Sequence, residues 1–442
     1  MKQLNLKIIT LFAFSIFIIS CKSGPFNLLK AGSPHQQYER KLVNSGLNQT
    51  SMGTLWINRS TAILEKALKI DLPYQETGYF AAEKVEAAAF SFNLQRGQKL
   101  QVKLNRNPTN NFTVYADVWE VNAEGKFNLL AAADSLGNVL EAEAKQSGNF
   151  ILRLQPELLG SGSYTVEITS GASLAFPLKN ARRNQIQSLF GVGRDANTRK
   201  HEGIDIFAPF RTPVIAVAAG RVTAVNQNNL GGNVVWFRPE GKNYTLYYAH
   251  LDEQTVTAGQ AVVYGDTLGR MGNTGNAITT APHLHFGIYT NEGAVDPLPF
   301  VDPAVQTVPK INTSIDQLNA TMRTAKNTSI MQSADGQITN KPLAKGTILR
   351  VAAATGNNYK VESPDGEFGY INGKELSSTW KPLAKHKVNS TQLSLYDQPD
   401  SLAAIKFNLK NGETVDVLGS FKDYQLIVNE AKQTGWIKAS IK

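Results

Sequence analysis

Four of the six histidines in this 442-residue chain lie between residues 201 and 285, and three of them sit on segments that alternate polar and apolar side chains. One segment reads His201-Glu-Gly203-Ile204-Asp205-Ile206 and the other His283-Leu284-His285-Phe286. β-Branched residues beside glycine favour extended backbone over helix. In a strand successive side chains point to opposite faces, so His201, Gly203 and Asp205 share one face while Ile204 and Ile206 take the other. Gly203 leaves room on that face for an ion between its neighbours. His283 and His285 likewise share a face, with Leu284 and Phe286 on the reverse. Such strands bury one side and assemble ligands on the other, which requires a β-sheet. Neutral imidazole and carboxylate are donors that zinc accepts at neutral pH.

The surrounding residues continue the β pattern. Ala218-Ala-Gly-Arg-Val222 and Gly231-Gly232-Asn-Val-Val235 each open a strand. A third ends at Tyr247-Tyr248-Ala249-His250-Leu251, and Gly272-Asn-Thr-Gly275 leads into Pro282-His283. His35 and His386 lie in stretches without partner ligands.

This segment resembles the lysostaphin/LytM family of zinc endopeptidases, which cut bacterial cell-wall peptides. The resemblance implies an antiparallel β catalytic domain over about residues 180–309. It also implies Zn2+ held by His201, Asp205 and His285, with His283 and His250 catalytic. Three protein ligands leave one tetrahedral position open, as in catalytic zinc sites, and a nearby imidazole can carry a proton from water to the leaving amine. Two positions depart from the family pattern: Ala281 replaces a glycine before the proline, and Gly287 stands where an acid is common. Both bear on substrate fit, since neither removes a ligand.

The N-terminus bears on location. Lys2 and Lys7 precede an apolar stretch, Ile8 to Ser20, whose length suits a secretory signal and falls short of a bilayer span. It ends at Cys21, the chain's one cysteine, followed by Lys22-Ser23-Gly24. This resembles the lipobox of bacterial lipoproteins and implies signal residues 1–20 with lipid on Cys21. The location expected is the cell envelope, at the periplasmic face of the outer membrane. Residues 21–74 then read as a tether and a helical segment, since Leu64, Ala67 and Leu68 recur at helical spacing after Ser60-Thr61.

Between residues 75 and 175 short alternating runs such as Phe90-Ser-Phe92-Asn-Leu94 and Leu100-Gln-Val102-Lys-Leu104 predict an all-β sandwich. Its closing strands resemble jelly-roll accessory domains of secreted peptidases. Residues 318–380 and 386–442 carry a diverged repeat. Gly346 to Val351, Tyr359 and Gly369-Tyr370-Ile371 recur at nearly equal intervals as Gly412 to Val417, Tyr424 and Gly435-Trp436-Ile437. Two small barrels fit this, and they resemble bacterial SH3-like domains, which implies binding to wall peptides. Tyr370 and Trp436 are either binding aromatics or core aromatics. The fold class expected is therefore mostly β and multidomain.

Composition excludes several classes. With 42% hydrophobic and 18% charged residues the chain is neither disordered nor collagen-like. One cysteine rules out a disulfide scaffold or cysteine-built zinc finger. The net charge of +9 suits a polyanionic partner, but no basic stripe interleaved with aromatics points to nucleic acid. The function expected is a peptidoglycan endopeptidase that hydrolyses peptide cross-links. Two alternatives fit the same residues: a non-catalytic wall-binding scaffold or amidase activator that keeps a zinc site, and a zinc peptidase acting on proteins.

Overall fold

The computed structural model describes residues 32–134, 138–180, 182–194, 196–334, 339–389 and 393–439. Cys21 and the signal segment lie outside the described residues. Strands dominate, and no helix among the described residues is long and apolar enough to cross a membrane.

Two helices come first, Pro34–Asn44 and Ser51–Glu65. Ser33 caps the first through a reciprocal pair of hydrogen bonds with Gln36, and Pro34 occupies its first turn. Thr50 caps the second by accepting from Gly53 N. This helix begins well before Ser60-Thr61, and Ala67 and Leu68 fall beyond its end. Ser60 does not cap: its hydroxyl donates back to the Ile57 carbonyl from inside the helix. Trp56 is buried against His35, Tyr38 and Tyr115 and donates to the Pro156 carbonyl, so the helices are fastened to the strands behind them.

Those strands form a sandwich. One sheet runs Leu68–Lys69, Ala88–Leu94, Gly148–Pro156, Val114–Val121, Phe127–Ala132. The facing layer runs Tyr74–Phe80, Gly162–Ala172, Gln98–Asn107, Val139–Glu143. Alternate residues of both meet in one core that includes Phe90, Phe92, Leu100, Val102, Phe150, Leu152 and Val166. The second layer does not stop at its edge. Thr77 and Gly78 pair with Ala354 and Ala353 of strand Ile348–Thr355, so a single sheet of 11 strands runs through the sandwich and the first C-terminal barrel.

The C-terminal repeat is structural. Ile348–Thr355, Asn358–Glu362 and Phe368–Asn372 correspond to Thr414–Phe421, Tyr424–Asn429 and Thr434–Lys438, with the same pairing order. Both singled-out aromatics face inward. Tyr370 is fully buried, and Trp436 packs with Ile348, Phe421, Tyr424 and Leu426 where the two barrels meet. The core alternative therefore accounts for both positions.

The histidine-rich region forms its own sheet, in the order Ile186–Ser188, Ile204–Phe207, His283–Thr290, Thr245–Gln254, Gly232–Pro239, Gly220–Asn228, Ala261–Val262. Its core takes in Leu174 and Leu178, a few residues upstream of position 180, and closes with Phe300 and Val301. Leu174 N donates to Phe300 O within this core, and Lys242 pairs with Glu143 of the sandwich, which seats this region on it.

Candidate active site

Antiparallel pairing assembles the centre of the site. Asp205 lies directly opposite His285, and Phe207 opposite His283. Directly opposed residues point to the same face, so two separate motifs converge without help from loops. Ile204, Ile206, Leu284 and Phe286 fill the core on the reverse face, as the alternation requires. His201 precedes the strand and is pinned by its backbone: its carbonyl accepts from Gly191 N, and its N–H donates to Val192 O.

Three donor atoms meet. His201 Nε2 lies 3.0 Å from Asp205 Oδ1 and 2.9 Å from His285 Nδ1, and His285 Nδ1 lies 3.0 Å from the same oxygen. His201 Nδ1 lies 2.9 Å from the Leu189 carbonyl, to which it donates, so its Nε2 lone pair faces the group. Three lone-pair atoms turned on one another at this spacing are the arrangement a cation relieves, and the chemistry of the set can hold a zinc ion. Gly203 does not leave space for the ion itself. A Cβ there would lie 2.7 Å from His285 Cε1 and 2.6 Å from the Phe286 carbonyl, so the missing side chain makes room for the His285 ring. Burial lowers the His285 pKa, keeping the imidazole neutral.

Two further imidazoles border this group. His250 and His283 have ring centroids 4.9 Å apart. His250 Nδ1 lies 2.8 Å from the Thr274 carbonyl, and His283 Nδ1 lies 2.9 Å from the Ala281 carbonyl. Each donates there and turns Nε2 the other way, as an acceptor. Burial, then the neighbouring His283, push the His250 pKa down to about 4. His250 does not end its strand. It sits inside Thr245–Gln254 with φ of 61°, at a register shift where two residues oppose one of Gly232–Pro239. Such a bulge re-aims a side chain out of the pleat.

These five residues line an open cleft of about 900 Å³. One wall carries Trp236, Tyr247 and Tyr289 on adjacent strands, with Tyr247 edge to face with Tyr289 and Trp236 tilted against both. Every lining residue among those described belongs to positions 187–289, so neither the sandwich nor the barrels cover the opening. Arg194 escaped the sequence reading. It donates to Asp205 Oδ2 at 2.6 Å and to Ser188 Oγ at 2.7 Å. No spacing rule marks it, because it stands in a two-residue strand of a hairpin rather than beside a ligand.

Comparison with known proteins agrees with this geometry. Residues 199–297 match the model of Peptidase family M23, a stretch that contains all five residues described above. Lysostaphin of Staphylococcus simulans is 34% identical over 113 residues, 24% of this chain and 22% of that protein. The peptidoglycan DD-endopeptidase ShyC of Vibrio cholerae is 36% identical over 169 residues, 36% of this chain and 38% of that protein. The uncharacterized lipoprotein YgeR of Escherichia coli is 38% identical over 104 residues, 23% of this chain and 40% of that protein. The chain spans less than half the length of each of these relatives. Residues 199–297 are thus similar to Peptidase family M23, and the similar proteins include a peptidoglycan endopeptidase.

Proposed function

We propose that this protein is a zinc-dependent endopeptidase that hydrolyses peptide cross-links of bacterial peptidoglycan. The observation that carries the reading is the convergence of His201 Nε2, Asp205 Oδ1 and His285 Nδ1 in the lining of an open cleft, with the imidazoles of His250 and His283 beside them. In this reading those three residues hold the ion, which supplies Lewis-acid polarisation of the scissile carbonyl. His250 and His283 handle protons. Each has its Nδ1 hydrogen committed to a backbone carbonyl, so each Nε2 can accept a proton from water and return it to the leaving amine, or donate it to the developing oxyanion. The lowered pKa of His250 keeps it in the accepting form at neutral pH. The aromatic wall of Trp236, Tyr247 and Tyr289 offers apolar surface for a peptide laid along the cleft.

Lipid attachment at Cys21 and export to the cell envelope belong to the same proposal. They are supported by the motif and by likeness to a relative named as a lipoprotein. The barrels are proposed as SH3-like modules that hold the wall.

The test is mass spectrometry of soluble products from purified sacculi, with and without prior chelation of the protein. New peptide termini that vanish on chelation and return with zinc are expected. Sacculi left intact by zinc-loaded protein would refute hydrolysis and favour the scaffold alternative.

A further inference from the structure

We infer that Arg194 is a positioning residue that holds Asp205 to one-oxygen coordination and so completes the metal centre; this rests on the zinc reading above. Asp205 divides its two oxygens. Oδ1 faces His201 Nε2 and His285 Nδ1, each at 3.0 Å, while Oδ2 accepts from Arg194 Nη2 at 2.6 Å. The last torsion of an aspartate is broad and nearly two-fold, so the carboxylate does not choose this orientation by itself. A charge-assisted hydrogen bond from a guanidinium fixes it. With Oδ2 engaged, one oxygen is left for the ion, and the centre keeps a position open for water and substrate. The same Nη2 donates to Ser188 Oγ at 2.7 Å, and that hydroxyl lies 3.3 Å from His201 Nδ1. Arg194 thus supports two of the three ligands from a hairpin, Gly193–Arg194 against Arg199–Lys200, that belongs to neither ligand strand.

Partners of this kind typically alter metal affinity by about 10–100-fold when removed. The experiment is zinc affinity of the full chain, measured by competition with a chromophoric chelator, for wild type, Arg194→Gln, Arg194→Lys and Ser188→Ala. Cobalt(II) absorption and the unfolding temperature of the metal-free proteins accompany it. Arg194→Gln should weaken zinc about tenfold or more and dim the visible cobalt bands as the carboxylate becomes bidentate. Arg194→Lys should recover part of both, since one cationic donor returns, and Ser188→Ala should show a smaller loss. The guanidinium charge also repels the ion. Zinc affinity equal to or above wild type in Arg194→Gln would mean that orientation does not decide, and would overturn the inference. If Arg194→Gln lowers the metal-free unfolding temperature, Arg194→Lys decides: recovered affinity supports the role and absent recovery refutes it. A wild-type chain that takes up no zinc would overturn the zinc reading itself, which separates the two failures.

Discussion

Glu76 and Lys360, 284 residues apart in the chain, form an ion pair at 2.5 Å with both side chains buried. Glu76 belongs to the sandwich and Lys360 to the first barrel. The same carboxylate accepts from Tyr74 at 2.7 Å and from Tyr164 at 2.6 Å, and Tyr74 lies 3.1 Å from the hydroxyl of Tyr370 in the barrel. Gly78 permits this, because a Cβ there would lie 2.5 Å from the Tyr164 ring. A buried charge is costly unless paired and hydrogen-bonded, and here every partner is supplied.

Lys360→Met should therefore destabilise the shared sheet by about 3–5 kcal/mol, because it leaves Glu76 charged and buried. Adding Glu76→Gln should restore much of that loss. Denaturant unfolding reads both, and a double variant no better than the single one would show that the pair is not the source of the cost.

Within the site the expected effects separate by position. His201→Ala, Asp205→Ala and His285→Ala should each lose zinc and activity together. His250→Ala and His283→Ala should keep most of the zinc and lose about 10²–10⁴-fold in rate, the range of a positioned proton-transfer group. Metal analysis beside product formation tests this; equal zinc loss in all five would contradict the division.

The convergence of the two motifs could be read before the structure because period-2 alternation leaves one choice of face. That alternation places Asp205 and His285 each on a polar face, while the register that sets them opposite one another comes from the pairing of the two strands. The bulge at His250 could not be read, since nothing in Tyr248-Ala249-His250 distinguishes a regular strand from one carrying an extra residue. The helix start at Thr50 was missed because Ser60-Thr61 offers the same capping chemistry, and burial of Trp56 decides between them. The Arg194 contact depends on how a short hairpin folds back on the ligand strand, and the pairing of Thr77 with Ala354 joins distant stretches. Residue type carries no trace of them.

His35 predicts a pH dependence. Burial first, and then the charge of Arg153, lower its pKa from 6.5 to about 4, while Asp117 and Gln155 partly oppose. Its Nε2 lies 2.7 Å from Gln155 Oε1, and its buried Nδ1 has no hydrogen-bond partner among the described residues. A second proton would enter an unpaired, buried position. The unfolded chain binds that proton first, so stability is full above about pH 6.5 and falls as pH drops toward 4. The loss approaches about 3 kcal/mol. Unfolding curves between pH 7 and 4 should show it, with His35→Gln abolishing this slope; an unchanged slope in the variant would rule His35 out.

Anchoring has a direct test. Cys21→Ser should abolish incorporation of labelled fatty acid and move the protein from the membrane fraction to the soluble one. Retention in the membrane fraction would exclude lipid on Cys21 as the anchor.

Cutting the chain shows how its parts depend on one another. The catalytic core closes on itself, from Leu174 and Leu178 to Phe300 and Val301. A segment of residues 173–309 should therefore be soluble, monomeric and able to hold zinc. A chain that starts at residue 32 and ends at Pro309 keeps all of that segment but loses the first barrel. Its sandwich then exposes the Thr77-Gly78 edge that pairs with Ala354 and Ala353, and leaves Glu76 without Lys360. An open edge strand beside an uncompensated buried charge favours pairing between molecules. The longer fragment should aggregate where the shorter one does not, the reverse of what added native structure usually brings. Size-exclusion chromatography of the two fragments, with bound zinc measured in each peak, makes the comparison. A monomeric longer fragment with a wild-type unfolding temperature would show that the sandwich stands without the barrel and that the shared sheet contributes little.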